Sequence, residues 1–137
     1  LLAGSKELLV RLASRYTLAI ATGAHPEVLH KLVFPKFRIP DVFSAICTIN
    51  DIDDMSYAKP HPHMAEKIMY DLGVLPAQTV MVGDAKTDMQ MAWNARIPHT
   101  IAVLTGHLSL KEAQELGLSY IAEDVTKIEP GLRQIFS

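Results

Sequence analysis

Five short apolar runs, separated by stretches of helical periodicity, constrain this chain more than any other feature. They cover 18–21, 44–49, 79–82, 100–104 and 120–122. Each is continuous rather than alternating, the pattern of a strand buried on both faces of a parallel sheet. Between them Ser5 is placed to cap a helix carrying Leu8, Leu9 and Leu12, and Pro26 suits the first turn of one carrying Val28, Leu29 and Leu32. Pro62 opens a third, with Ala65, Ile68, Met69 and Leu72 on one face and Gly73 as its stop, and helices follow over 87–95 and 109–116. Strands alternating with helices predict an α/β, Rossmann-like doubly wound parallel sheet. At 137 residues, 49% of them apolar, the chain suits one domain over 1–137 with a real core.

A formal net charge of -2 gives no nucleic-acid or membrane-surface footprint. No apolar run approaches the roughly 20 residues of a membrane span. The single cysteine, Cys47, has no partner for an internal disulfide, which fits a cytoplasmic protein.

In sheets of this kind ligands gather at the carboxyl ends of the strands. The residues that follow the runs are Thr22-Gly23, Asn50-Asp51, Gly83-Asp84 and Thr105-Gly106. Asp84 and Asp88 lie one helical turn apart, so both can face one point. Such an open oxygen site suits Mg²⁺, which binds through one or two carboxylates plus phosphate and water. Thr22 adds a hydroxyl, the amides of Gly23 and Ala24 sit near a helix start, and Lys59, in a loop fixed by Pro60 and Pro62, supplies a compact positive charge. Together these make half of a phosphoryl-transfer site. The bland alternative for Asp84 and Asp88 is a helix cap with a first-turn acid that favours the helix dipole. His61 and His63 read as loop histidines without a third metal ligand, and His25, near Thr22, as a possible substrate contact. The methionines and Trp93 read as packing.

At these residues the chain resembles the haloacid dehalogenase-like hydrolases, mostly Mg²⁺-dependent phosphatases. LAIATG matches the family's second motif, KPHP its third, and VMVGDAKTD its fourth, in order and with matching spacing. The resemblance implies that Thr22 and Gly23 bind the substrate phosphate, and that Lys59 neutralises it and orients the nucleophile. It implies that Asp84 binds Mg²⁺, with Asp88 a ligand or a water-mediated partner. Lys59 and Asp84 would be the catalytic residues. The look is to the phosphoglycolate phosphatase and β-phosphoglucomutase branch, which implies a small phosphorylated metabolite as substrate and an aspartyl-phosphate intermediate.

The chain also departs from the family. The first motif, Asp-x-Asp on a first strand, should precede Thr22, yet only 21 residues stand before it and none is Asp. The expectation is therefore a core that resumes after the cap, without the first strand, the nucleophile and the cap, and inactive alone. Asp51-Ile52-Asp53 comes too late in the order to substitute and reads as an acidic turn with Asp54. In the family sheet the first strand lies between the strands ending at Thr22 and Asp84. Without it, those strands should pair directly, borrow a strand from another segment or chain, or leave the chain poorly soluble. Two other functions compete. One is a non-catalytic module that binds phosphate, Mg²⁺ or a protein. The other is a phospho-accepting receiver domain, which the order Thr22, Lys59, Asp84 disfavours. Arg96 stands where relatives carry Gly, at a cost of about 1 kcal/mol if the left-handed backbone is kept.

Overall fold

All five apolar runs become strands in the computed structural model, which describes residues 3–136; residues 1, 2 and 137 of the expected domain lie outside it. The strands are β1 (Leu18–Ala21), β2 (Phe43–Cys47), β3 (Val80–Gly83), β4 (His99–Val103) and β5 (Tyr120–Ala122). Every pairing is parallel, as continuous apolar strands require. The sheet is in two pieces, β1–β2 and β3–β4–β5. Among the described residues β1 and β3 therefore each keep a partner on one side only, and the direct pairing expected as one outcome does not form.

The packing explains why. Successive strand residues point to opposite faces. Ala21 and Met81 pack into one core, built from Met64, Ala65 and Met69 of α4 (His63–Leu72) and Met91 and Ala92 of α5 (Lys86–Asn94). Leu18 and Val80 pack into a second, built from Leu8 and Leu12 of α1 (Ser5–Ala13), Ile101 and Val103 of β4, and Leu132 of α7 (Glu129–Phe136), while a third cluster gathers Met89, Ala102, Leu108 and Ala113. The first two cores bridge the two sheets, so closing the gap would shear two packed layers at once. The gap is a groove of about 580 Å³, lined along its length by Leu18, Ile20, Val80 and Val82.

Helix ends follow the expected signals at Gly73 and Arg96, and the helix expected from Ser109 starts one residue later with Ser109 as its cap. Gly73 closes α4 with φ 66°, and Arg96 after α5 adopts the left-handed conformation at φ 64°. Ser109 caps α6 (Leu110–Glu115) in a reciprocal box with Glu112. The expected cap at Ser5 is corrected. Gly4, at φ 88°, turns the chain into α1, and Ser5 is the first helical residue, buried, its hydroxyl without a hydrogen-bond partner among the described residues. The helix opened by Pro26 runs as α2 (Pro26–Val28), a π-helical turn (Leu29–Val33) and α3 (Phe34–Phe37). Among the described residues no helix is long and apolar enough to cross a membrane.

Candidate active site

β3 delivers its residues to the site by ending in Gly83. A Cβ there would stand 2.5 Å from Cβ of Asp88, so the first turn of α5 folds back against the strand only because residue 83 has no side chain. Asp88, buried on that turn, uses both of its oxygens. Its Oδ2 accepts the amides of Asp84 and Ala85, each at 3.2 Å, and its Oδ1 accepts Lys59 Nζ at 2.7 Å. An acid at the third helical position also meets the positive end of the helix dipole. Asp88 is thus the hub that ties Lys59, the strand end and the helix start into one unit.

Asp84 is held differently. Its carbonyl oxygen accepts two amides from the loop after β4, His107 at 2.9 Å and Leu108 at 3.0 Å. Its half-buried carboxylate makes no hydrogen bond or ion pair among the described residues. A side chain on Gly106 would collide with that carboxylate, so Gly106 keeps its place open. Sequence reasoning noted Thr105-Gly106 as a strand end but gave it no role; the close approach across strands is a tertiary fact with no local signal.

On the other sheet, Thr22 extends the ladder by donating its amide to the Cys47 carbonyl at 2.9 Å. Its hydroxyl accepts the Ala24 amide at 3.1 Å. The loop is pinned to the segment after β2, where Ile49 donates to the Ala24 carbonyl at 3.3 Å and the His25 and Asn50 side chains meet at 3.2 Å. Gly23 has open space around it. Lys59, Asp84 and Asp88 are therefore brought together. Thr22 and Gly23 follow the carboxyl end of β1, in the other sheet, and no hydrogen bond or ion pair among the described residues joins them to the other three.

The neighbouring candidates settle into local roles. Asp51 accepts the amide of Thr48 at 2.7 Å and its hydroxyl at 3.1 Å, and Asp54 accepts the Ser56 amide, a bond that holds the Asp54 carboxyl below its ordinary range. His61 and His63 lie with ring centroids 6.3 Å apart beside Tyr57. No group of three His, Cys, Asp or Glu side chains forms a metal cluster among the described residues. A single open carboxylate, that of Asp84, fits a hard cation that keeps most of its water. Asp88, with both oxygens engaged, fits a contact made through water.

Comparison with known proteins places the chain in a family. The haloacid dehalogenase-like hydrolase model matches residues 1–103. Over 90 residues the chain is 34% identical to the pyrophosphatase PpaX of Oceanobacillus iheyensis, an alignment covering 66% of this chain and 40% of that protein. A structure from Lactobacillus delbrueckii assigned as a phosphoglycolate phosphatase is 27% identical, with a TM-score of 0.73 over 90% of this chain and 49% of that one. One from Haemophilus somnus, assigned likewise, shares the fold at a TM-score of 0.79 and 22% identity, over 98% of this chain and 56% of that one. The chain thus spans about half the length of the relatives it matches. The matched span runs through more than half of the chain and holds Thr22, Lys59, Asp84 and Asp88 alike, so the chain belongs to the haloacid dehalogenase-like hydrolases.

Proposed function

We propose that this chain is the core of a cytoplasmic Mg²⁺-dependent phosphatase acting on a small phosphorylated metabolite through an aspartyl-phosphate intermediate. The observation that carries it is the Lys59–Asp88 ion pair at 2.7 Å, set beside the open carboxylate of Asp84. Asp84 would hold the Mg²⁺, with Asp88 in contact through water; when bound, the ion offsets charge on the phosphoryl oxygens. Lys59 donates to a phosphoryl oxygen and draws its negative charge. The Thr22 hydroxyl and the Gly23 amide hold the phosphate from the other side of the groove. Asp88 keeps the Lys59 ammonium in place before the ligand arrives, so its charge needs no reorganisation.

The nucleophilic Asp would arrive on an extended apolar strand seated in the groove, where β1 and β3 both present unpaired edges. That strand's carboxyl end would emerge between Thr22 and Asp84. Calorimetry of Mg²⁺ with inorganic phosphate on the chain tests the site. Binding should depend on Asp84, and an Asp84→Asn variant that binds both as well as the parent would sink the assignment. The competing reading is a non-catalytic phosphate and Mg²⁺ module built on the same residues. Adding a synthetic apolar peptide that ends in Asp-x-Asp separates the two functions: turnover supports the phosphatase, and binding without turnover supports the module.

A further inference from the structure

Lys59 lies in a segment with little regular structure of its own. Between Tyr57 and His63 two prolines remove two amide donors, and the backbone is held locally by the His61 amide on the Ala58 carbonyl at 2.9 Å and the Ala58 amide on Met55 at 3.1 Å. The His63 amide donates to His61 Nδ1 at 3.0 Å. Two bonds tie this loop to α5. One is the ion pair of Lys59 with Asp88. The other is Asn94 Nδ2 donating to the Pro60 carbonyl at 3.0 Å. The two anchors sit six residues apart, about 9 Å along the helix axis.

The anchors do different work. A lysine carries its ammonium on a flexible four-carbon stem. Its bond to Asp88 can therefore be kept from several backbone positions, each placing the ammonium differently toward a ligand. The Asn94 bond acts on the backbone one residue from Lys59, through a side chain with only two torsions. Among the described residues this is the one hydrogen bond of the Asn94 side chain. It is exposed, at the last position of α5, where Asn is a poorer helix former than Ala. The Pro60 carbonyl only accepts, which also fixes the orientation of the Asn94 amide.

We infer that Asn94 is a positioning residue for Lys59, holding the loop so that its ammonium stays in register with Asp88 and the ligand site. This rests on Lys59 as the phosphate-facing cation, and the test separates the two ideas. Asn94→Asp keeps the size of the side chain but places an acceptor against the Pro60 carbonyl; Asn94→Gln keeps the donor. The readout is the rate at which an amine-reactive ester acylates Lys59 in the folded chain, followed by peptide mass spectrometry. Lys67, paired with Asp71 at 2.9 Å on α4, is the internal control.

Asn94→Asp should raise the Lys59 rate roughly threefold to tenfold, the factor that loss of one ordinary hydrogen bond gives. Lys67 should not change, and Asn94→Gln should restore most of the protection. If Asn94→Asp fails to fold, Asn94→Ala serves the same comparison. An unchanged Lys59 rate in a folded variant overturns the inference and leaves Asn94 as a mere tie between helix and loop. Inorganic phosphate with Mg²⁺ is then added to the parent chain. Failure to protect Lys59 there counts against the phosphate-facing role and not against the positioning, which the acylation rates alone decide.

Discussion

Asp88 gives the sharpest test of how the site is built, because its two oxygens serve separate partners. Asp88→Ala removes the carboxylate that accepts Lys59 and the two amides of Asp84 and Ala85. Asp88→Asn keeps the shape and one carbonyl oxygen for the amides, but turns an NH₂ group toward the Lys59 ammonium. The side chains of the pair are 25% and 10% exposed, between the surface and the buried extremes. Surface pairs contribute about 0–1 kcal/mol, and breaking a buried pair costs about 3–5 kcal/mol. We expect about 3 kcal/mol for Asp88→Ala, where two orphaned amides add to the lost pair. About half of that is expected for Asp88→Asn. Urea unfolding at neutral pH measures both, with a Lys59→Met partner to close a double-mutant cycle and a coupling of about 1–2 kcal/mol between positions 59 and 88. Two equal losses from Ala and Asn would show that the amide contacts carry nothing. A coupling near zero would show that Lys59 and Asp88 are not paired in solution.

Three further outcomes follow from the same structure. Arg96→Gly, at φ 64°, should raise stability by about 1 kcal/mol, read as a higher urea midpoint with an unchanged slope; a loss would mean that the Arg96 side chain makes a compensating contact. Ser5→Ala removes a buried hydroxyl that has no partner among the described residues and should also gain about 1 kcal/mol, whereas a clear loss would reveal a bond to that oxygen. Glu129 is held below the ordinary carboxylate range chiefly by its hydrogen bond from Arg11, so its contribution is present above the unfolded-state value, near 4, and is lost as pH falls through the depressed folded-state value. Stability should therefore drop on the acid side and drop less steeply in Arg11→Ala; parallel profiles for the two would refute the linkage.

What the sequence disclosed was whatever local chemistry determines. Continuous apolar runs located all five strands, with β2 beginning one residue earlier than its run and β4 likewise. Gly73 was legible because a left-handed stop is decided within one turn of chain, whereas Ser109 was read only as the start of a helix and its box with Glu112 went unread. Ser5 misled because the turn into α1 is made by Gly4, one residue earlier, which swings Ser5 inward. Helix α7 went unseen because Glu129-Pro130-Gly131 looks like a loop; Pro is tolerated in a first turn, and Gly131 lies against Tyr120, where a Cβ would come within 2.5 Å of the ring. The order Thr22, Lys59, Asp84, Asp88 pointed to a site, but the division of labour between the two carboxylates depends on Gly83, Gly106 and the loop after β4, which meet only in three dimensions.

The split sheet bears directly on how such a site would be assembled. Thr22 and Gly23 travel with β1 and β2, while Asp84 and Asp88 travel with β3 and α5. Helix α4 packs on β1 and β2, α5 packs on β3, and the two helices touch. Lys59 belongs by connectivity to the first half, between β2 and α4, yet its ammonium and its neighbour's carbonyl are bonded to α5 in the second. These two polar ties, with the Arg11–Glu129 ion pair and the apolar cores on either face, set one half against the other across the groove. A strand in the groove would add backbone ladders to both open edges and fix the distance between the Thr22 hydroxyl and the Asp84 carboxylate. Ligands that bridge the two halves and a strand that fills the groove would then favour the same arrangement, so each should bind more tightly in the presence of the other. Phosphate binding that is indifferent to groove occupancy would instead mean that the packed helices alone already hold the two halves in place.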